Sequence, residues 1–147
     1  MAQTDGDDLF DRKSCNLAVT LDIKEGKKIG VHKSQFRGYT YGPSSKSSSY
    51  SSLEVEWFFS GGKGEKNKVK FKDDDSSFLV ETIIDDKDIE YCECGATSTI
   101  FRMNSAIIAS KQKASYDDVE IGIDTIDEVT AKTTASGYTF YIIEKSC

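Results

Sequence analysis

The chain is 147 residues long, with 37% hydrophobic and 30% charged residues and a formal net charge of −6. That length suits one domain able to bury roughly 70% of its unfolded surface, and aromatic and β-branched residues are too plentiful for disorder. The acidic balance, with a sequence pI of about 4.8, would repel a phosphate backbone, which excludes nucleic acid as a first partner, and no apolar run is long enough for a transmembrane segment.

Residues 1–14 read as a polar lead-in to a single domain over 15–147. Met1 to Asp8 is acidic and lacks an apolar h-region, so no signal peptide is expected. The expected compartment is therefore intracellular, or an oxidising one if the chain is a processed mature form.

Hydrophobic and polar side chains then alternate. Leu17, Val19, Leu21 and Ile23 share one parity, with Ala18, Thr20 and Asp22 on the other. A period of two places the two sets on opposite faces of a β-strand, here about 15–24. Short strands follow near 28–32 and 36–41. Seven of the nine residues 44–52 are serine, a stretch that reads as a flexible loop too polar for a core.

Leu53, Val55, Trp57 and Phe59 alternate with Glu54, Glu56 and Phe58. After Gly61-Gly62-Lys63-Gly64, Asn67, Val69 and Phe71 alternate with Lys66, Lys68, Lys70 and Lys72. An antiparallel hairpin with Phe59 opposite Asn67 sets Trp57 against Val69 and Glu56 against Lys70, satisfying both faces at once. Further strands are expected near 77–84, 88–93, 97–103, 118–124, 128–134 and 137–144. Asn104 to Ala114 fits either a short helix or another strand. About 8–10 short strands separated by turn residues imply an all-β fold, an antiparallel β-sandwich of jelly-roll-like kind.

Little in the chain resembles catalysis. His32 is the only histidine and has no nucleophile motif around it, so an enzyme is not expected. The acidic clusters Asp73-Asp74-Asp75, Asp85-Asp86 with Asp88, Asp117-Asp118, and Asp124 with Asp127 read as solvated turns. Calcium is the alternative there, and no other cofactor is expected. The glycine-rich turn at 61–64 lacks the ending of a phosphate loop.

Four cysteines stand out: Cys15, Cys92, Cys94 and Cys147. None forms a C-x-x-C pair. Cys92 and Cys94 point the same way on a strand and would not bond each other without strain. Reduced thiols are the plain reading, and pairing within the chain is a further one. The sharper one makes all four candidates for disulfides between molecules, since a thiol at a chain end reaches a neighbour easily.

The leading expectation is thus a non-catalytic structural protein that assembles with copies of itself into a filament, shell or crystalline body, locked by intermolecular disulfides. The alternative is a lectin-like or membrane-active sandwich that binds a glycan or lipid surface. Its expected site is Tyr39, Tyr41 and Tyr50, which flank the serine-rich stretch. Each ring offers an apolar face and a polar tip.

Overall fold

A computed structural model describes residues 1–73, 76–124, 134, 135 and 137–147. In chain order the strands are β1 (Ala2–Gln3), β2 (Phe10–Asp22), β3 (Lys27–Tyr41), β4 (Tyr50–Phe59), β5 (Glu65–Phe71), β6 (Ser76–Ile83), β7 (Ser98–Ser110), β8 (Glu120–Ile123), β9 (Thr134–Ala135) and β10 (Tyr138–Ser146). Two 3-10 turns, Ser45–Ser47 and Asp86–Asp88, interrupt them.

The strands form two antiparallel sheets that pack as a β-sandwich. One has the order β2-β7-β4-β5, and the other β1-β8-β3-β10-β9 with β6 also on β3. Long β3 organises the larger sheet. Its residues Lys33–Phe36 pair with both β10 and β6, so those two strands take opposite edges. Beyond them Gly38–Thr40 pair with both β8 and β6, which puts β8 on the same edge as β10.

Alternation makes each strand two-faced, and the inward parities build the core. On β4, Leu53, Val55, Trp57 and Phe59 are buried while Glu54, Glu56 and Phe58 are not. Rings from both sheets interlock at the centre. Phe140 of β10 lies 4.8 Å from Phe101 of β7 and 5.9 Å from Trp57 of β4, centroid to centroid. Phe36 of β3 adds an edge-to-face contact with Phe140 at 5.9 Å. Such pairs contribute about 0.5–1.5 kcal/mol each beyond their buried area.

Several expectations are corrected. The polar lead-in is part of the fold: β1 pairs with β8, Ala2 and Thr4 are fully buried, and β2 starts at Phe10 rather than near 15. The two strands expected over 28–41 are one. A bulge at His32 lets them join, because Tyr141 opposes Lys33 and Ile142 opposes Val31. The extra residue resets the parity, so Val31, Ser34 and Phe36 all face inward. The short helix considered near 104–114 is strand through Ser110, held between β2 and β4. Residues 88–93 supply no strand beyond one bridge, Gly30 to Tyr91. The strand expected over 128–134 lies outside the described residues except for Thr134.

The serine-rich stretch is also more ordered than its composition suggests. Ser49, Ser51 and Ser52 are buried. Ser51 Oγ lies 2.6 Å from Thr40 Oγ1, so a hydroxyl pair joins the inner faces of β4 and β3. A buried polar group is tolerated when it is hydrogen-bonded in this way. Ser45 donates from both its backbone N–H and its hydroxyl to Asp73, at 2.7–2.9 Å. Those bonds, the backbone one first, hold the Asp73 carboxyl below its ordinary pKa.

The β4–β5 hairpin forms in a different register from the one expected. Leu53 opposes Val69, Val55 opposes Asn67, and Glu54 opposes Lys68. The shift is an even number of residues, so both faces keep their character. A tight turn sets it: Gly62 N–H donates to Phe59 O at 2.8 Å. A side chain at Gly64 would meet Trp57 O at 2.2 Å, which requires glycine there.

Candidate functional site

The sandwich leaves two outer sheet faces. On the larger sheet the outward parity of β3 is Lys33, Gln35, Arg37, Tyr39 and Tyr41. At about 3.4 Å per residue, Lys33 to Tyr41 spans about 27 Å.

Tyr39 and Tyr41 lie side by side. They sit two residues apart on one strand, and their ring centroids are 5.4 Å apart with planes inclined by 40°. Tyr41 is 48% exposed. Tyr39 lies across the neighbouring strand. It pairs with Gly122 of β8, and a Cβ on Gly122 would come within 2.5 Å of the ring atoms Cε1 and Cζ. The absent side chain is what allows the ring to cover the β8 backbone. Its hydroxyl donates to Glu120 Oε1 at 2.9 Å. Glu120 in turn sits between Tyr41 on β3 and Gln3 on β1. An aromatic surface therefore carries a carboxylate at its rim.

The Tyr39 phenol is pushed up to about 12, first by burial, then by the hydrogen bond to Glu120 and by that carboxylate's charge. In an unfolded chain it ionises near 10. Below that pH both states are neutral and its contribution to stability is complete. Between about 10 and 12 the unfolded chain loses the proton first, so stability falls as pH rises. Titration of phenolate absorbance should show one late-titrating phenol fewer in Tyr39→Phe than in the natural chain, the Tyr138 phenol, also pushed up by burial, remaining in both. Gly122→Ala should move the Tyr39 step back toward 10 by lifting the ring away from Glu120. A Tyr39→Phe profile identical to the natural one would contradict the assignment.

Further along the face, Tyr141 donates to Gln35 Oε1 at 3.1 Å, and Gln35 Nε2 donates to Glu81. Lys33 adds an ion pair with Glu81 at 3.5 Å and lies over the Tyr141 ring at 5.0 Å. The Gln35 hydrogen bond, and secondarily Lys33, hold Glu81 below its ordinary pKa. Leu79 and Ile83 of β6 flank this strip, 52% and 69% exposed.

Tyr50 does not join Tyr39 and Tyr41. It stands on β4 of the other sheet, under the Lys70 ammonium at 4.1 Å from its ring. The chain changes sheets between Tyr41 and Tyr50, which separates them. Sequence reading also missed Glu120 and Gly122, because only the β3–β8 pairing carries them to the tyrosines.

The cysteines correct another expectation. Cys94 and Cys147 bond each other within the chain, Cα to Cα 5.8 Å, so neither is left to link a neighbouring molecule. Cys15 is free and exposed. Cys92 is free and half-buried, and its Sγ accepts from Ile29 N–H at 3.4 Å. Among the described residues no three His, Cys, Asp or Glu side chains converge as a metal site. Asp74, Asp75 and Asp127, from the acidic turns, lie outside those residues. No helix among them is long and apolar enough to cross a membrane.

A family profile described as Domain of unknown function (DUF4360) matches residues 3–139, and the chain belongs to that family. No curated protein matches it.

Proposed function

We propose that this DUF4360 member is a non-catalytic glycan-binding domain whose ligand lies along the outer face of the larger sheet, anchored at Tyr39 and Tyr41. The observation that carries the reading is the Tyr39 ring laid over Gly122, beside a half-exposed Tyr41 and against the Glu120 carboxylate. A sugar ring has apolar C–H faces that rest on aromatic rings and equatorial hydroxyls that donate to carboxylates and amides. The strip supplies both, with Tyr141, Gln35 and Glu81 continuing the pattern away from the tyrosine pair. A long, open surface of this kind suits a polymer rather than a small molecule, which a closed pocket would hold better. The internal disulfide suits an oxidising compartment, where extracellular glycans are met.

A glycan array probed with the natural chain and with Gly122→Ala tests the reading. Gly122→Ala leaves the backbone intact, because only the far end of the Tyr39 side chain must move. The natural chain should bind a subset of polysaccharides, and the variant should lose about tenfold or more in affinity. Silence on the array, with binding to liposomes instead, would replace the glycan by a lipid surface.

One observation favours self-assembly as a second reading. Among the described residues β2 is the end strand of its sheet, thirteen residues long, with Cys15 exposed on it. An unpaired edge is a template for another strand. An antiparallel β2–β2 pairing centred on Leu17 would set Arg12 of each copy against Asp22 of the other. Size-exclusion should then show a dimer with and without reductant, and Cys15→Ser should not abolish it. A monomer at high concentration removes this reading.

A further inference from the structure

The smaller sheet carries a second feature on its own outer face. A cavity of about 350 Å³ opens there over four strands. Its lining includes the buried Ala106 of β7, 4% exposed, and the buried Val55 and Ser105. Ala106 pairs with Ser14 on one side and Glu54 on the other. The next row along is Asn16, Asn104, Glu56 and Lys66. Small Ala106 and Ser14, beside that row of longer side chains and with Arg12 on their other side, make the trough.

The lining selects a ligand class. Apart from Ala106 and the inward-facing Val55 no apolar residue contributes, so an acyl chain or aromatic ligand has little to rest on. Two carboxylates, Glu56 and the Lys68-paired Glu54, stand beside Arg12 and Lys66, so a phosphate or sulfate would meet repulsion as well as attraction. Donors and acceptors are interleaved instead: Arg12 on the β2 side and Lys66 on the β5 side give hydrogen bonds, and Glu56 and Glu54, the latter also paired with Lys68 at 3.1 Å, receive them. Asn16, Asn104 and Ser14 do both. A neutral sugar ring needs such an arrangement, since every hydroxyl can donate and accept. The volume lies at the small end of ordinary ligand sites, suited to one or two rings.

We infer that this trough is a second, separate site for a neutral saccharide, on the opposite face of the sandwich from Tyr39 and Tyr41, so that one domain grips two glycan chains and cross-links them. The choice of saccharide for the trough stands on its own lining. The cross-linking half rests on the function proposed above. Two sites on opposite faces cannot engage the same short segment, so their joint effect is bridging between chains.

Amide NMR of the full chain, titrated with cellotetraose, maltotetraose and chitotetraose, separates the two claims. The expected result is two independent sets of shifting signals: Ser14, Asn16, Asn104 and Ala106 in one, and Tyr39, Tyr41 and Gly122 in the other. The double variant Asn16→Ala/Asn104→Ala changes two exposed side chains and should still fold. It should weaken the first set about tenfold or more and leave the second unchanged. It should also abolish precipitation of the matching polysaccharide while retaining binding to it. If the trough signals stay fixed at saturation while the tyrosine set shifts, the second site is wrong and the first stands. If only the trough responds, the tyrosine reading fails and cross-linking fails with it. If no signal moves with any of the three sugars, the trough site is refuted for neutral saccharides.

Discussion

Replacing Lys111 with Met will lower the stability of the fold by about 1–3 kcal/mol, the cost of leaving its carbonyl partners without a donor, since the Asp118 carboxylate is 45% exposed and stays solvated. The Lys111 side chain is only 1% exposed. Its ammonium donates to Ala114 O at 3.5 Å, Tyr116 O at 3.3 Å and Asp118 Oδ1 at 2.6 Å. An ammonium has three donors, and all three are used. Met keeps the aliphatic stem and deletes the head, leaving two carbonyls without their donor. The position also matters for the tyrosine face. Lys111 follows β7, and the segment it ties leads from the smaller sheet into β8, which brings Glu120 and Gly122 to Tyr39. Denaturant unfolding should show a lower midpoint with little change in slope, accompanied by weaker glycan binding. A loss below about 1 kcal/mol would mean that the loop holds its shape without the ammonium.

Removing the Cys94–Cys147 bond should cost about 2–4 kcal/mol, chiefly by freeing the unfolded chain. The cross-link closes a sequence separation of 53 residues. Both cysteines are exposed, so the double variant Cys94→Ser/Cys147→Ser leaves no buried polar group unpaired. Locally the bond fixes the end of β10 to the turn after Tyr91. That end is otherwise held by Cys147 N–H donating to Gly26 O at 2.9 Å and by the pairing of Ser146 with Lys27. Lys28 and Lys145 flank the Tyr91 ring at 4.9 and 5.7 Å. Reductant should therefore lower the unfolding midpoint and speed amide exchange at 144–147. Intact mass without reductant should be that of a single chain two hydrogens lighter than the reduced form. A midpoint indifferent to reductant would contradict the cross-link.

How far the sequence carried this structure depends on the range of the interaction concerned. Period-two alternation is local, so the sandwich and the inward parities of Leu53, Val55 and Trp57 were legible. Parity is not register. The β4–β5 pattern fits any even shift, and the turn closed by Gly62 N–H on Phe59 O decided between them. The helix considered after Asn104 lost to pairing on both sides of β7, a tertiary effect that outweighs propensity. Serine content suggested a mobile loop, yet the Thr40–Ser51 hydroxyl pair buries that end of β4. Tyr39 and Tyr41 were readable as neighbours because they share a parity on one strand. Their partners were not, since Glu120 and Gly122 lie about eighty residues on and arrive only through the β3–β8 pairing. The trough depends on four strands in register, which no single segment announces. Cys147 invited an intermolecular role for the same reason: its partner is fixed by where β10 ends in space.

The glycan site at Tyr39 and Tyr41 is tested most directly by following the ring signals of both tyrosines by NMR during titration with whichever oligosaccharide is best retained on the array. Both rings should shift together and saturably, with the sugar's C–H protons displaced by the ring currents and with no such response in Gly122→Ala. A sugar that binds tightly while both rings stay unmoved would contradict it.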